Sequence, residues 1–349
     1  PDLRSRQTTS NAMPRREAQD IASTFSAEIK AYTDKVVATG HDRPKLVGFL
    51  ANDDKAAVMY ARWTEKACTR DGICYELRHV EKHALEAAVI EANTDPSVHG
   101  IMVYYPCFGG AIDDYLRDVI SLEKDVEGLN HRYRYALYHN IRTLAEHNGK
   151  KCVLPCTPLA VAKILSALGM FEENAPVGRQ LKGRTVVVVN RSEVVGRPLA
   201  AMLANDGARV FSIDVSGMLL YSAGSVPGTI KVEDTAVDQK DAYASADIVV
   251  SGVPSKGFQI PASSLKPGVI AVNISQYQNF GEGVSELGNL VPAVGKVTIA
   301  MLERNLLRLH ANFHVPSPRG RALVRGALLA AAAGAVGVAL LAARARRSR

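Results

Sequence analysis

Two signatures alternate along residues 17–313: short, nearly continuous apolar runs, and longer stretches whose apolar residues recur every three or four positions. Ile21, Phe25, Ile29 and Tyr32 predict an amphipathic helix over 17–39. KLVGFLAN (45–52) predicts a buried strand, and the stretch after it a helix stopped at Gly72. CYELRHV (74–80) and HGIMVYYP (99–106) predict two more strands, with helices after each. Residues 124–151 are polar and read as a loop-rich connection. The pattern restarts with a helix over 155–169, with Thr157 as its N-cap and Pro158 in its first turn. Strands at 184–190, 208–214, 246–252 and 268–275, a helix at 195–207 and a last amphipathic helix at 297–313 follow. The stretch 216–241 carries little pattern and reads as a long insertion. No repeat of about 20–50 residues is visible.

Strand–helix alternation of this kind predicts parallel sheets. The fold class is therefore α/β with two domains, an N-terminal three-layer unit over 17–154 and a C-terminal Rossmann-like parallel-sheet unit over 155–296, with the helix 297–313 packing back on the first.

Composition changes this picture mainly at the ends. The net charge of +7 comes from residues 1–16 (net +3) and 316–349 (net +7), which leaves −3 for 17–315. A mildly acidic body argues against nucleic acid as a partner. Residues 1–16 read as a disordered leader. Within 314–349, the uncharged run 326–343 is flanked by arginine and would span about 27 Å as a helix. Such a run reads either as a tail anchor in a cytosol-facing organelle membrane or as a weakly hydrophobic Ala/Gly helix; without an anchor the protein is expected in the cytoplasm. The five cysteines form no C-x-x-C pair, and His79, His83 and His131 lack ligand spacing, so reduced thiols and no metal site are expected.

The run VVVVNRSEVVGRP joins a strand to a helix, a geometry that presents N–H groups to a pyrophosphate. Asn190 stands where the usual fingerprint has its first glycine, and Gly196 is the one obvious glycine. The next strand ends at Asp214, 18 residues beyond Gly196, where a carboxylate can bond a ribose 2′-hydroxyl and repel a 2′-phosphate. NAD is thus expected over NADP. Arg191 leaves open a role toward a 2′-phosphate or toward the pyrophosphate.

In the first unit Tyr60 and Thr64 share a helix face, Tyr104 and Tyr105 end a strand before Pro106, and Asp125 and Glu127 flank Val126 in a turn. Together with YARWT (60–64), VYYPCF (103–108), KDVEG (124–128), PCTP (155–158), RSEVVGRP (191–198), SGVPS (251–255) and GKVTIAML (295–302), these residues make the chain resemble the methylenetetrahydrofolate dehydrogenase/cyclohydrolase family. The resemblance implies a tetrahydrofolate substrate, NAD as cofactor, a homodimer and hydride transfer. It implies that Tyr60 stacks on the aminobenzoyl ring and that Glu127 accepts hydrogen bonds from the pterin, with Tyr105, Pro106 and Asp125 nearby. Ser192, Gly196, Arg197 and Arg191 would line the pyrophosphate, Asp214 the ribose, and Val253, Pro254, Asn273 and Thr298 the nicotinamide side.

Departures from the family pattern are informative. Thr64 stands where bifunctional members have a lysine, Tyr104 where they have a glutamine, and Glu127 where they have an aspartate. These changes resemble the monofunctional, NAD-dependent branch, whose cyclohydrolase activity is lost. Two other readings remain: a bifunctional enzyme using another base, and a catalytically silent NAD-binding scaffold.

Overall fold

The structure is a computed structural model that describes residues 18–226 and 228–315. The leader and the arginine-flanked run at 326–343 lie outside the described residues. No helix among the described residues is long and apolar enough to cross a membrane.

The first unit opens with α1 (Ala18–Ala38), β1 (Lys45–Leu50), α2 (Lys55–Asp71), β2 (Cys74–His79), α3 (Leu85–Thr94), β3 (Gly100–Val103) and α4 (Ala111–Val119). The three strands pair in parallel in the order β2-β1-β3. The central strand is buried on both faces, as a parallel sheet under two helical layers requires. Val47, Phe49, Ile101 and Val103 pack with Leu85, Val89, Leu116 and Ile120 of α3 and α4. Leu46, Leu50 and Met102 pack with Ala57, Ala61 and Ile29 of α2 and α1. The Asp54 carboxylate caps α2, and Gly72, at φ 80°, ends it in the left-handed region a side chain would disfavour.

The polar stretch after β3 is more ordered than its sequence suggests. It holds α5 (His131–Tyr138) and a two-residue ladder of β4 (Thr143–Leu144) with β5 (Lys150–Lys151). Eight residues with three charged or imidazole side chains hide the helical period, but Asn130 caps α5 and Tyr133 is buried, its hydroxyl on the Leu122 carbonyl.

The second unit follows with α6 (Cys156–Ala167), β6 (Thr185–Val189), α7 (Gly196–Asn205), β7 (Arg209–Asp214), β8 (Gly217–Ala223), β9 (Ile230–Asp234), α8 (Gln239–Ser245), β10 (Ile248–Ser251), β11 (Ile270–Asn273), α9 (Val284–Leu287), β12 (Asn289–Val291) and α10 (Gly295–Leu309). Helix α6 is capped two residues earlier than expected, so Pro155 is its N-cap and Thr157 lies in its first turn. The seven-stranded sheet has the order β12-β11-β10-β6-β7-β8-β9. Five strands are parallel; β8 and β9 add antiparallel to the β7 edge. The expected structureless insertion is therefore this edge hairpin followed by α8, and the sheet is mixed rather than all parallel. Half-burial blurs its alternation: Met218, Leu219 and Leu220 are all intermediate in exposure.

Helix α10 returns to the first unit and packs on α1 and α6. Gly100 makes room for it, because a Cβ there would lie 2.4 Å from Val126 Cγ1 and 2.6 Å from Leu306 Cδ1. Asn305, buried in the apolar face of α10, donates to the Val126 carbonyl at 2.9 Å and the Leu154 carbonyl at 2.8 Å. One amide thus joins the 124–130 turn, the connection between the sheets and the last helix. Asn305→Leu keeps the branched shape but strands both carbonyls and adds bulk; it is expected to cost about 2–4 kcal/mol in urea unfolding, against under about 1 kcal/mol for an exposed control such as Lys296→Ala.

Candidate active site

The turn at 124–130 is built one residue at a time. Lys124 is buried, and its ammonium donates to the Ala92 carbonyl at 2.9 Å and the Asp95 carbonyl at 2.6 Å, closing the end of α3. Asp125 is also buried. Its Oδ1 accepts the Glu127 and Gly128 amides, each at 3.0 Å, and its Oδ2 the Asn130 amide at 2.8 Å. Val126 enters the core, and Gly128, at φ 65°, sits so close to Leu154 that a Cβ would lie 2.9 Å from its carbonyl carbon. Only Glu127 is left with a carboxylate that the turn does not use. Asp125, expected beside it as a ligand, instead has both oxygens committed to backbone amides.

Burial pushes the Glu127 carboxyl up to about 8, and the Asp125 charge adds to this; Arg117 and a backbone contact at Val103 oppose it. Arg117, on α4, lies with its guanidinium 4.6 Å from the Tyr105 ring centre and is ion-paired to Asp114. Its Nε and the Tyr105 hydroxyl are both buried without a partner. The Tyr105–Pro106 bond is cis, and the carbonyls of Tyr104 and Pro106 accept from Asn52 at 2.7 and 3.0 Å.

Tyr60, on α2, meets Tyr104 edge to face, with ring centres 6.1 Å apart. The Tyr104 hydroxyl shares a 2.7 Å hydrogen bond with that of Tyr75 on β2, and Gly48 makes the space, because a Cβ there would lie 2.7 Å from the Tyr75 hydroxyl. Thr64 is fully buried, and its hydroxyl donates to the Tyr60 carbonyl at 2.9 Å. Burial, the leading cause, pushes the Tyr104 hydroxyl up to about 12 and raises the Tyr60 hydroxyl well above its ordinary value. It raises the Cys156 thiol as well, so Cys156 is protonated and donates toward the Val126 carbonyl. Glu303 of α10 is buried with neither oxygen hydrogen-bonded, and burial lifts it to about 9. Lys55 and Lys66 are exposed.

At the second site, β6 and β10 lie side by side while their continuations leave in opposite directions along the sheet, the switch point at which such folds bind ligands. Asn190 bridges it: its Nδ2 donates to the Gly252 carbonyl at 3.1 Å, and its Oδ1 accepts the Ser192 amide at 3.0 Å and hydroxyl at 2.7 Å. A Cβ on Gly196 would lie 1.9 Å from the Asn190 carbonyl oxygen, so only glycine lets α7 begin this close to β6. Asp214 ends β7, and its Oδ1 accepts the Val215 amide at 2.6 Å.

Arg191 settles neither phosphate role. Its three nitrogens are engaged by the β7–β8 turn: the Ser212 hydroxyl and carbonyl, the Ser216 hydroxyl and the Gly217 carbonyl. Arg197 pairs with Glu193 at 2.9 Å, and Glu193 also accepts from Tyr138 of α5 at 3.3 Å. Asn273 is buried, with its amide on the Ser275, Tyr277 and Pro292 carbonyls, so it frames the site from within. Val253 is held by Asn279, which is fully buried; Pro254 is exposed; and the Thr298 hydroxyl bonds the Val294 carbonyl.

The family models described as tetrahydrofolate dehydrogenase/cyclohydrolase, catalytic domain and NAD(P)-binding domain match residues 17–127 and 155–314. The chain belongs to the tetrahydrofolate dehydrogenase/cyclohydrolase family. It is 49% identical over 293 residues to a protein of Dictyostelium discoideum named methylenetetrahydrofolate dehydrogenase [NAD(+)], covering 84% of this chain and 92% of that one. The structure of the NAD-dependent 5,10-methylenetetrahydrofolate dehydrogenase from Saccharomyces cerevisiae is similar at 46% identity and a TM-score of 0.80, over 85% of this chain and 96% of that one. A bifunctional dehydrogenase/cyclohydrolase structure from Campylobacter jejuni is similar at 25% identity and a TM-score of 0.68, over 85% and 98%.

Tyr75, Arg117, Asn279, Glu303 and Asn305 were not legible as site residues. Asn305 and Glu303 did carry a signal, as polar residues in the apolar stripe of the last helix. Family membership leaves the charge of Glu127 as a physical question. Its carboxyl holds its proton to about pH 8 in the fold but only to about 4.5 in the unfolded chain. This contribution to stability is therefore present below pH 4.5 and is lost as pH rises through 8. Thermal melts without ligand are expected to fall between pH 6 and 8 in the parent chain and to be flatter in Glu127→Gln. Arg117→Leu is expected to shift the fall to higher pH.

Proposed function

We propose that this chain oxidises 5,10-methylenetetrahydrofolate to the 5,10-methenyl form with NAD, and does not hydrolyse the product. The observation that supports the two-site reading best is the path of α10. It starts beside Pro292, whose carbonyl receives the Asn273 amide, and about three turns of helix carry it to Asn305, which donates to the carbonyl of Val126, next to Glu127. The two half-sites are thereby held against each other by one rigid element, the requirement for aligning a hydride donor with its acceptor.

The residues present fit a dinucleotide. The glycine-tight start of α7 offers N–H groups to a pyrophosphate, and Asp214 offers a carboxylate to a ribose diol while opposing a 2′-phosphate. NAD supplies the hydride acceptor. On the folate side, Glu127 takes the donor pair of the pterin, an arrangement that needs its ionised form, and Tyr60 and Tyr104 form the aromatic wall. The carbon that loses hydride lies between two nitrogens, which stabilise the resulting cation, so orientation supplies most of the catalysis.

Hydrolysing that cation requires an activated water and proton transfer. Thr64 has its proton on the Tyr60 carbonyl and no access to solvent, and the nearby thiols and phenols are held protonated. The division at 154/155, the homodimer implied by the resemblance and a cytoplasmic location belong to the same reading; sedimentation of the full chain tests the dimer.

A rate assay with methylenetetrahydrofolate, following NADH and the methenyl product separately, tests the function. NAD is expected to exceed NADP by at least about 100-fold in kcat/KM, and Asp214→Ser to narrow that ratio about tenfold or more. The methenyl signal is expected to decay at the buffer rate; faster decay would show cyclohydrolase activity. Because substrate binding favours ionised Glu127, the folate KM is expected to fall as pH rises from 7 to 9.

A further inference from the structure

A second concentration of charge lies on the outer side of α10, between that helix, α1 and β5. A cavity of about 310 Å³ is floored by Ile29, Tyr32 and Leu307 and rimmed by Lys151, Arg304 and Arg308. Lys163 of α6 stands close enough that Arg304 and Arg308 act on its ammonium. Glu28 is the one carboxylate in the lining. It meets Arg304 at 3.7 Å with 56% of its side chain exposed, a weak counter-charge.

The cations are otherwise without carboxylates. Among the described residues Lys151, Lys163 and Arg308 make no ion pair; Arg308 donates only to the Cys152 carbonyl, at 3.0 Å. Arg304 lies over the Phe25 ring at 4.9 Å. Burial and the neighbouring cations lower both Lys163 and Arg308, the expected response of like charges gathered in a partly desolvated space. Three cations in the lining, with Lys163 behind them, against one solvent-screened acid is a repulsive arrangement, relieved by a bound anion.

We propose that this cavity is a second ligand site, outside the folate and dinucleotide half-sites, for a phosphorylated small molecule with a flat apolar body. The guanidinium forks of Arg304 and Arg308 suit the oxygens of a phosphate ester, and Lys151 adds a point charge at the rim. The floor of Ile29, Tyr32 and Leu307 offers an apolar surface to the rest of the molecule, and the volume exceeds what a bare phosphate fills. The inference does not rest on the reaction proposed above.

Calorimetric titration of the full chain with phenyl phosphate, inorganic phosphate and phenol tests the site. Phenyl phosphate is expected to bind at least tenfold more tightly than either fragment, with an affinity that drops with added salt. Lys151→Glu and Arg304→Gln, tested separately so that one folding failure does not decide the matter, are each expected to weaken it fivefold or more. Neither should change the KM for NAD or for folate. The proposal is overturned if phenyl phosphate does not bind at millimolar concentration, if both folded variants bind it like the parent chain, or if saturating NADH displaces it. Equal affinity for inorganic phosphate and phenyl phosphate overturns the apolar subsite.

Discussion

The architecture depends on the side-chain amide of Asn305. It donates to two buried carbonyls at once, one in the turn that carries Glu127 and one in the connection between the two sheets. Buried carbonyls without a donor are costly, so the three segments cannot separate without losing both bonds. Cys156 adds a thiol to the same Val126 carbonyl. Gly100 and Gly128 contribute by absence, since a methyl group at either would push the turn or the helix away. The site is therefore held by backbone contacts that no single motif contains.

Within that frame the two acids of the turn have opposite tasks. Asp125 gives its accepting capacity to backbone amides, and its burial is tolerated because those bonds are made. Glu127 has only the backbone contact at Val103 and is partly accessible, so its charge stays unfavourable. Arg117 offsets part of this from the side. Stability is given up at this carboxyl, the usual relation between a poised group and its fold.

The dinucleotide crevice reaches a similar end with asparagines in place of glycines. Asn190, Asn273 and Asn279 tie the loops at the ends of β6, β10 and β11 to one another. A loop so cross-linked needs fewer glycines to hold its shape; Gly196, pressed against the Asn190 backbone, is the most tightly compelled, and Gly252 is confined by the Ile274 side chain. Arg191 shows why a charge beside a phosphate loop is a weak guide alone: its forks are satisfied by the neighbouring turn.

The sequence by itself determined most of the alternating elements, the family and the cofactor preference. Periodicity, strand-end placement and a carboxylate at a fixed spacing are local properties, written in neighbouring residues. It misread 131–138 and 217–234, where a short charged helix and a half-buried edge hairpin leave no clean period. Tertiary structure alone decided which polar groups are free. Asp125 and Glu127 are two residues apart and chemically alike, yet only the amides of Gly128 and Asn130 and the packing of Val126 separate frame from ligand. The partners of Arg191 and Asn305 likewise come from elsewhere in the chain, up to 179 residues away, so hydrogen-bond capacity is assigned only once the chain has folded.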